Sequence, residues 1–223
     1  MNMTLNNVTY SYSNSNVKAV NGVSCTFESG YLYAIMGPSG SGKSTLLSML
    51  AGLDSPTEGE IYFDSDSLKD MDIDRYRRED ISMIFQAFQL FPLLTALENV
   101  CYPQELSGVT SSEAKLKAEE LLLRVGLTPD KFKRYPSNLS GGEQQRVAIA
   151  RSLAAGSKFI LADEPTGNLD ISNSENIMTI LKDLAHKDGY CVIVVTHDID
   201  VADDADVVFR MKDGVVTLQD SDT

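Results

Sequence analysis

The chain has 223 residues, of which 43% are hydrophobic and 23% are charged, so it is long and apolar enough for one α/β domain with a full core. No apolar run approaches the roughly 20 residues of a membrane span, and the first residues lack the basic and apolar regions of a secretory signal, which predicts a cytosolic protein. The net charge of −13 argues against nucleic acid as a partner and against direct binding to anionic lipid, because both need a basic surface.

A glycine-rich loop follows a predicted strand at 31–36 and leads into a helix whose core face begins at Leu46 and Leu47. Strand, loop and helix form the context in which the pattern G-x-x-x-x-G-K-[ST] indicates a nucleotide site. Glycines let backbone N–H groups surround phosphate oxygens, the lysine supplies a positive charge, and the serine offers a hydroxyl to Mg²⁺. A turn that merely caps an ordinary helix is the weaker alternative. The predicted site for a nucleoside triphosphate comprises Gly37, Pro38, Ser39, Gly40, Ser41, Gly42, Lys43, Ser44 and Thr45.

The rest of the chain alternates between strand and helix patterns. Besides 31–36, the apolar patterns predict strands at 5–10, 20–27, 60–63, 81–85, 158–162 and 190–196, and a hairpin over 207–218 that turns at Asp213-Gly214. Helical periodicity predicts helices over 96–106, 111–125 and 172–187, and one that starts near Gly141. We therefore predict an α/β core that carries a helical insertion near its middle.

The cysteines and one histidine have no predicted role in a site. Cys25, Cys101 and Cys191 lack metal-ligand spacing, and the apolar neighbours of Cys25 and Cys191 predict buried free thiols. His186 lies on a charged helix and is predicted to be a surface residue.

Two carboxylates end the predicted strand at 158–162. Because ligands bind at the carboxyl edge of such sheets, Asp163 is expected to join Ser44 in the Mg²⁺ shell. Glu164 is placed to accept a proton from an attacking water, although by itself it could simply open the turn at Pro165.

A second glycine motif begins the helix near Gly141. Ser140 and Glu143 have the spacing of a capping box, which alone would explain a helix start. A capping box does not need the consecutive glycines Gly141 and Gly142, whereas exposed amides at a helix start form an anion site. The motif is therefore predicted to hold phosphate.

These motifs together resemble the ATP-binding cassette (ABC) ATPases, and the resemblance covers nearly the whole chain. Leu139-Ser140-Gly141-Gly142-Glu143-Gln144-Gln145-Arg146 is similar to the family's signature, the loop at 37–45 to Walker A, and 159–163 to Walker B. The fold it implies is an α/β P-loop NTPase of ABC type, with a mixed β core, an antiparallel β subdomain and an inserted helical subdomain. Its implied boundaries are 1–86 and 156–223 for the RecA-like core with the β subdomain, and about 87–155 for the helical subdomain.

The resemblance also assigns roles to single residues. It implies that Glu164 is the catalytic glutamate, that His197 is the switch histidine, and that Gln86 contacts Mg²⁺ and the attacking water. Asn168-Leu169-Asp170 resembles the D-loop, whose Asp170 belongs with the nucleotide site. Tyr12 matches the aromatic residue that stacks on adenine, with Tyr10 as the alternative.

The partners are likewise implied by the resemblance. Two copies would clamp two ATP molecules, each with Mg²⁺, in a head-to-tail dimer in which Ser140, Gly141 and Gly142 cover the partner's nucleotide. A separate integral membrane permease would dock near residues 87–102, where Phe88, Leu90, Phe91 and Leu93 form an unusually apolar loop; a core-packing loop is the alternative. The chain would then be peripheral to the cytoplasmic face of the cell membrane, and nucleic acid is not an expected partner.

Within the family, the stretches 37–45, 94–100 and 161–170 are similar to exporter ATPases of the lipoprotein, macrolide and antimicrobial-peptide type. The main alternative is a mechanotransmitting ATPase of the cell-division type, which moves no substrate and would use the same catalytic set. A soluble ABC protein that acts on DNA or ribosomes is disfavoured by the single cassette and the acidic charge. A nucleotide kinase or GTPase is disfavoured by the signature motif.

Overall fold

The computed structural model describes residues 1–12 and 17–219. The strands of this part of the chain are β1 (Asn2–Ser11), β2 (Lys18–Glu28), β3 (Leu32–Met36), β4 (Glu58–Phe63), β5 (Asp66–Ser67), β6 (Ile81–Phe85), β7 (Phe159–Asp163), β8 (Cys191–Thr196), β9 (Val207–Lys212) and β10 (Val215–Leu218). The helices are α1 (Lys43–Leu50), α2 (Ile73–Glu79), α3 (Ala96–Leu106), α4 (Ser111–Arg124), α5 (Gly141–Ala154), α6 (Ile171–His186) and α7 (Ile199–Asp203).

The central sheet has the strand order β10-β9-β3-β8-β7-β6. Its strands are parallel except at the hairpin of β9 and β10, which turns at Asp213 and Gly214 with positive φ at both residues, as the sequence predicts. Both faces of β7 are buried, which explains its continuous apolar run. Ile160 and Ala162 point to one core cluster, and Phe159 and Leu161 point to the other.

The two core clusters lie on opposite faces of the central sheet. On one face, α1 and a separate antiparallel sheet with the order β2-β1-β4-β5 contribute residues such as Leu46 and Phe27. On the other face, residues of α3, α4, α5 and α6 pack on the strands. The fold is thus a mixed α/β core with an antiparallel β sheet and added helices, as the resemblance implies.

The inserted helices α3, α4 and α5 pack on one another, and each begins at a side-chain cap. Thr95, Thr110 and Ser140 accept hydrogen bonds from the backbone N–H three residues later. Helix α5 also contacts β6 and α6, so its apolar residues join the cluster that covers the sheet. The division at residues 87–155 therefore stays a prediction. Nowhere in residues 1–12 or 17–219 is a helix long and apolar enough to span a bilayer.

Two helices and one cysteine differ from the sequence-based expectations. The short helices α2 and α7 are absent from the predictions, because they have few buried residues to make a helical pattern. Cys101 and Cys191 are buried, but Cys25, predicted to be buried, is only partly so, because β2 leaves it at the edge of the core. Burial raises the pKa of the Cys25 thiol to about 12 and that of Cys101 to about 11, so both thiols stay protonated at neutral pH.

Candidate ATP-hydrolysis site

Strand register gathers the predicted residues at one edge of the central sheet. Met36, which precedes the phosphate loop, is paired with Thr196, which precedes His197. Asp163 is paired with Val195 on one side and with Phe85, the residue before Gln86, on the other. Because parallel strands present their carboxyl ends at a common edge, the loop, Glu164, Gln86 and His197 all emerge there.

The phosphate loop fits closely against its own chain. A β-carbon at Gly37 would lie 2.1 Å from the Met211 carbonyl oxygen, and one at Gly42 would lie 2.0 Å from the Ala19 carbonyl oxygen. Gly42 also has a φ of 106°, a left-handed backbone conformation that residues other than glycine rarely adopt. These glycines are therefore required by packing against β2 and β9 as well as by an approaching phosphate, a reason that the motif pattern alone does not reveal.

The start of α1 is suited to an anion. Its N-cap Gly42 provides no side-chain hydrogen bond, so amides of the first turn remain available. The Lys43 ammonium is buried at the mouth of the loop, where Nζ donates to the Gly37 and Pro38 carbonyl oxygens at 2.7 and 3.0 Å. The buried Ser41 hydroxyl has no protein partner among the described residues. Together these unpaired donors and the cation fit a triphosphate.

Ser44 and Asp163, two of the predicted Mg²⁺ ligands, lie next to each other. Ser44 Oγ lies 3.4 Å from Asp163 Oδ1. Burial and the neighbouring Glu164 raise the pKa of Asp163, although Ser44 and Lys43 act in the opposite direction. A divalent cation between a hydroxyl and a carboxylate would remove the cost of this buried charge. The donor set therefore fits Mg²⁺, which commonly takes one or two carboxylates and completes its shell with phosphate oxygens and water.

Glu164 and His197 are in direct contact. His197 Nδ1 lies 2.9 Å from Glu164 Oε1, and the histidine is the more exposed of the two side chains. Glu164 has a φ of 46°, and its backbone N–H donates to the Val195 carbonyl oxygen at 2.9 Å. A left-handed, non-glycine residue costs on the order of 1 kcal/mol and is typical of functional sites. Glu164 also starts the turn, since its carbonyl accepts from the Gly167 N–H.

Gln86 is exposed and is held from the D-loop. Asn168 Nδ2 donates to the Gln86 carbonyl oxygen at 2.8 Å, and the Gln86 side chain packs so closely on Gly167 that a β-carbon there would lie 2.7 Å from Nε2. The segment after Glu164 thus contacts the residue after β6. The sequence-based assignment of Asn168 to the D-loop did not anticipate this contact.

The two candidate adenine-stacking residues lie side by side. The Tyr12 hydroxyl is 2.9 Å from Thr45 Oγ1 in α1, whereas the Tyr10 hydroxyl is 3.4 Å from Asp54 Oδ1. Their rings meet edge to face at 5.1 Å, and Tyr12 is 52% exposed. Tyr12 is therefore the more exposed of the two rings and is bonded to the helix that follows the phosphate loop, and its stacking on adenine stays a prediction.

The signature motif caps its own helix. The Ser140 hydroxyl accepts from the Glu143 N–H at 3.3 Å, and the Glu143 carboxylate accepts from the Ser140 N–H at 2.8 Å. Lys131 forms an ion pair with the other Glu143 oxygen. Burial alone would raise the pKa of Glu143. The contacts with Lys131 and Ser140 outweigh burial, so the pKa lies below its ordinary value. Within the described residues, the motif makes no hydrogen bond to the phosphate loop.

Asp170 is engaged inside the chain. Its carboxylate caps α6 by accepting from the Asn173 N–H at 2.9 Å and from Asn173 Nδ2. A β-carbon at Gly142 would lie 2.2 Å from Asn173 Oδ1. A side chain at residue 142 would therefore displace the Asn173 side chain at the start of α6, and a nucleotide contact by Asp170 stays a prediction.

Comparison with known proteins agrees with this geometry. Residues 20–167 match the family model for the ABC transporter. The chain is 45% identical to the ABC transporter ATP-binding protein MJ0796 of Methanocaldococcus jannaschii, over 97% of this chain and 95% of that protein. It is 43% identical to the lipoprotein-releasing system ATP-binding protein LolD of Saccharophagus degradans, over 94% of this chain and 93% of that protein.

The chain belongs to the ABC transporter ATP-binding family. A dimeric structure of MJ0796 in a post-hydrolysis state, bound to ADP and Pi, matches with a TM-score of 0.88 and 43% identity over 97% of each chain. The macrolide export ATP-binding/permease protein MacB of a Shewanella species is 44% identical over 90% of this chain, which spans 31% of that longer protein. The chain is accordingly an ABC ATPase that binds ATP with Mg²⁺ and hydrolyses it.

Proposed function

We propose that the chain is the ATPase subunit of a membrane exporter of the lipoprotein, macrolide or antimicrobial-peptide type, and that it works as a head-to-tail pair. The names of LolD and MacB support the exporter type, and the dimeric structures of MJ0796 support pairing. One observation carries the proposal: the chain has two distinct halves of a nucleotide site. The phosphate loop has free donors, while the signature motif at Ser140 makes no hydrogen bond to it in the described chain.

Each residue at the sheet edge has a role in the proposed reaction. Lys43, Ser41 and the first amides of α1 bind the phosphates, while Ser44, Asp163 and Gln86 would hold Mg²⁺. When bound, Mg²⁺ neutralises charge on the phosphate oxygens. Tyr12 stacks on adenine.

Glu164 is the proposed general base. A water oxygen attacks the γ-phosphorus, Glu164 accepts the water proton, and the bond to the β–γ bridging oxygen breaks to leave ADP and phosphate. His197, whose Nδ1 contacts Glu164, orients this carboxylate and leaves Nε2 for the γ-phosphate. In the partner copy, Ser140, Gly141 and Gly142 cover the same phosphate, so hydrolysis removes the link between the copies.

The proposed permease-docking surface is an apolar groove beside the loop that follows β6. It is a cavity of about 450 Å³ whose wall includes Phe85, Phe91 and Tyr102. The Phe91 and Tyr102 ring centroids are 4.8 Å apart, so the two rings form one apolar platform. The groove extends beyond the predicted 87–102 to the exposed Leu53 and Leu106, which are 53% and 66% exposed.

The membrane association of transporter subunits supports a peripheral location for this chain. Because the described residues include no helix able to span a bilayer, contact with the membrane would pass through the permease. We place the chain at the cytoplasmic face, where ATP is supplied.

The Phe91→Asp variant tests the docking surface. A carboxylate in place of the Phe91 ring removes an apolar contact and must lose its hydration when the permease docks, so association with the permease should be lost while ATP binding by the purified chain is retained. The measurement is the fraction of tagged chain that sediments with native membranes and co-purifies with a multi-span protein identified by mass spectrometry.

The matched control is Leu123→Asp, which places the same charge on an exposed leucine of α4 outside the groove. Membrane recovery of the control should equal that of the wild type. If Phe91→Asp is recovered with the permease as well as the control is, the groove is not the docking surface. If it unfolds while the control does not, the loop is a core-packing element.

A further inference from the structure

The segment 86–91, which joins Gln86 to the groove, contains two consecutive strained residues. Phe88 has a φ of 59° and Gln89 a φ of 51°. Left-handed backbone at two adjacent residues other than glycine persists only where surrounding contacts enforce it. The question is which contacts hold this bend.

Arg151, in the last turn of α5, binds the carbonyl oxygens of both strained residues. Its Nη1 donates to Gln89 O at 2.7 Å and its Nη2 to Phe88 O at 3.3 Å. The guanidinium carbon also lies 5.7 Å from the centre of the Phe91 ring. One guanidinium thus contacts three residues of the segment.

This arginine has no acidic partner within ion-pairing distance among the described residues. Burial lowers its pKa, which means that the site disfavours the charge. The chain has a net charge of −13, so acidic side chains are abundant and a carboxylate partner for this arginine would be expected. The cation is instead satisfied by backbone carbonyls and an aromatic ring, contacts that fix the path of the loop.

The same segment touches the other end of α5. A β-carbon at Gly141 would lie 3.6 Å from Phe88 Cζ, so the Phe88 ring reaches the signature motif. Helix α5 has 14 residues and is about 21 Å long. The Phe88 ring therefore lies beside the start of α5, and Arg151 hydrogen-bonds the segment to the last turn of the same helix.

The backbone at each end of the segment is also held by an asparagine side chain. Asn168 binds the Gln86 carbonyl oxygen, and the fully buried Asn99 side chain bonds to both the N–H and the carbonyl oxygen of Phe91, at 2.8 and 3.2 Å. In the left-handed middle, the Phe88 and Gln89 N–H groups donate to the Phe85 and Ala87 carbonyl oxygens at 3.2 and 2.6 Å, and Arg151 binds the carbonyl oxygens of the pair.

We infer that Arg151 is a positioning residue that locks the segment 86–91 onto the signature helix, so that engagement of Ser140 and Gly141 with a partner's nucleotide is passed to the permease-docking surface. This inference rests on the proposed function for the docking surface and the partner's nucleotide. Its structural core, that Arg151 enforces the left-handed pair, can be tested on the isolated chain.

The test is a double-mutant cycle of Arg151→Met with Gln89→Gly, read as melting temperatures without nucleotide. With Arg151 present, glycine relieves the strain at residue 89 and should raise the melting temperature by about 2 °C. Without Arg151 the loop relaxes, so Gln89→Gly should shift the melting temperature by less than about 0.5 °C. Equal shifts in the two backgrounds would overturn the inference. Arg151→Lys, which keeps the charge but lacks the two-pronged donor, gives a second cycle with an intermediate shift if Arg151→Met does not fold.

Two controls separate the carbonyl contacts from other effects. Asp213→Gly places glycine at another left-handed position, in the β9–β10 turn, and should be additive with Arg151→Met. Phe91→Leu removes the ring contact of Arg151 but leaves the carbonyl contacts, so it should be additive with Gln89→Gly. Non-additivity in either control would show that the coupling is not specific to the arginine–carbonyl contacts.

Hydrogen exchange in Glu164→Gln with Mg-ATP tests transmission. The peptide that contains residues 139–146 should gain protection with or without Arg151. The peptide that contains residues 88–94 should gain on the order of tenfold protection only with Arg151, and equal gains would overturn the inference. If the first peptide gains none even with Arg151 present, the proposed dimer fails, while the melting cycle still reports on Arg151.

Discussion

The phosphate loop and the signature motif both lie at glycine-rich helix starts. They differ in the hydrogen-bond partners of the N–H groups in the first turn of the helix. Helix α1 has no side-chain cap and keeps the buried cation of Lys43 beside its free amides. Helix α5 is closed by its own capping box, which Lys131 supports through Glu143. A helix start with free donors can bind phosphate by itself, whereas a self-capped one has less to gain from it.

This difference suggests an order of events. We expect ATP to bind first to the phosphate loop of one copy, and the signature motif of the other copy to join only when the γ-phosphate offers enough charge. Because the signature motif has weak affinity for phosphate, pairing of the two copies depends on the bound nucleotide. A cycle in which the copies pair and separate requires this dependence. The following predictions test this comparison, from the largest effect to the smallest.

Replacing Glu164 by Gln should lower the ATP turnover number by about 10²–10⁴-fold, because the general base is lost. Binding at the phosphate loop should be unchanged, since the glutamate does not contribute to the donors of α1. Steady-state phosphate release and equilibrium binding of a fluorescent ATP analogue measure the two quantities. Wild-type turnover in the variant would exclude Glu164 as the base.

The same glycine-to-alanine change should lower the stability of the fold in the phosphate loop but not in the signature motif. Gly37→Ala places a β-carbon against a backbone carbonyl and should destabilise the fold by about 3 kcal/mol. Gly141→Ala places one at an ordinary 3.4 Å contact, so stability should change by less than about 0.5 kcal/mol while ATP-dependent pairing weakens. Urea unfolding and sedimentation with Mg-ATP measure these effects, and equal destabilisation would contradict the packing argument.

Asp163→Asn should stabilise the nucleotide-free chain while it abolishes Mg²⁺-dependent hydrolysis. Because the folded-state pKa of Asp163 is raised, its contribution to stability is present at low pH and is lost as the pH rises through that pKa. At pH 7.5 the variant should therefore melt on the order of 2 °C higher, and the difference should shrink as the pH falls toward 4. A melting difference that grows on acidification would be the wrong sign for this account.

Lys131→Met should have the smallest effect, a loss of about 0.5–1 kcal/mol in the free energy of unfolding, because its ion pair with Glu143 is partly buried. The control Lys187→Met breaks an exposed pair with Asp183 one helical turn away and should cost less than about 0.5 kcal/mol. ATP-dependent pairing should weaken only in Lys131→Met. If both variants dimerise with ATP as well as the wild type does, the ion pair between Lys131 and the cap does not contribute to the function of the signature motif.

The parts of this site that the sequence predicts are those with a local physical reason. The phosphate loop, Asp163 and the cap at Ser140 follow from short patterns of this kind, as do the bounds of α3 and the start of α5. Contacts between distant segments do not leave such patterns. Arg151 reads as an ordinary residue of α5, and nothing nearby indicates that it binds carbonyls 62 and 63 residues earlier in the chain.

Helix α2 and Gly142 illustrate two further limits. With Tyr76 as its one buried residue, α2 lacks the apolar stripe by which helices are recognised. The sequence selects Gly142 for an exposed amide, yet Gly142 is buried, and its close approach to Asn173 depends on where α6 begins. Such requirements become visible only when the segments are placed together.

The central claim, a site shared between two copies, is tested most directly by crosslinking two singly substituted chains. One Glu164→Gln chain carries Ser39→Cys in the phosphate loop and the other carries Ser140→Cys in the signature motif, both exposed positions. Burial raises the pKa of the native Cys25, Cys101 and Cys191 thiols, which makes them slow to react. The account predicts a mixed crosslinked dimer that forms with Mg-ATP and not with ADP. Crosslinking that is absent with Mg-ATP, or equal with ADP, would contradict it.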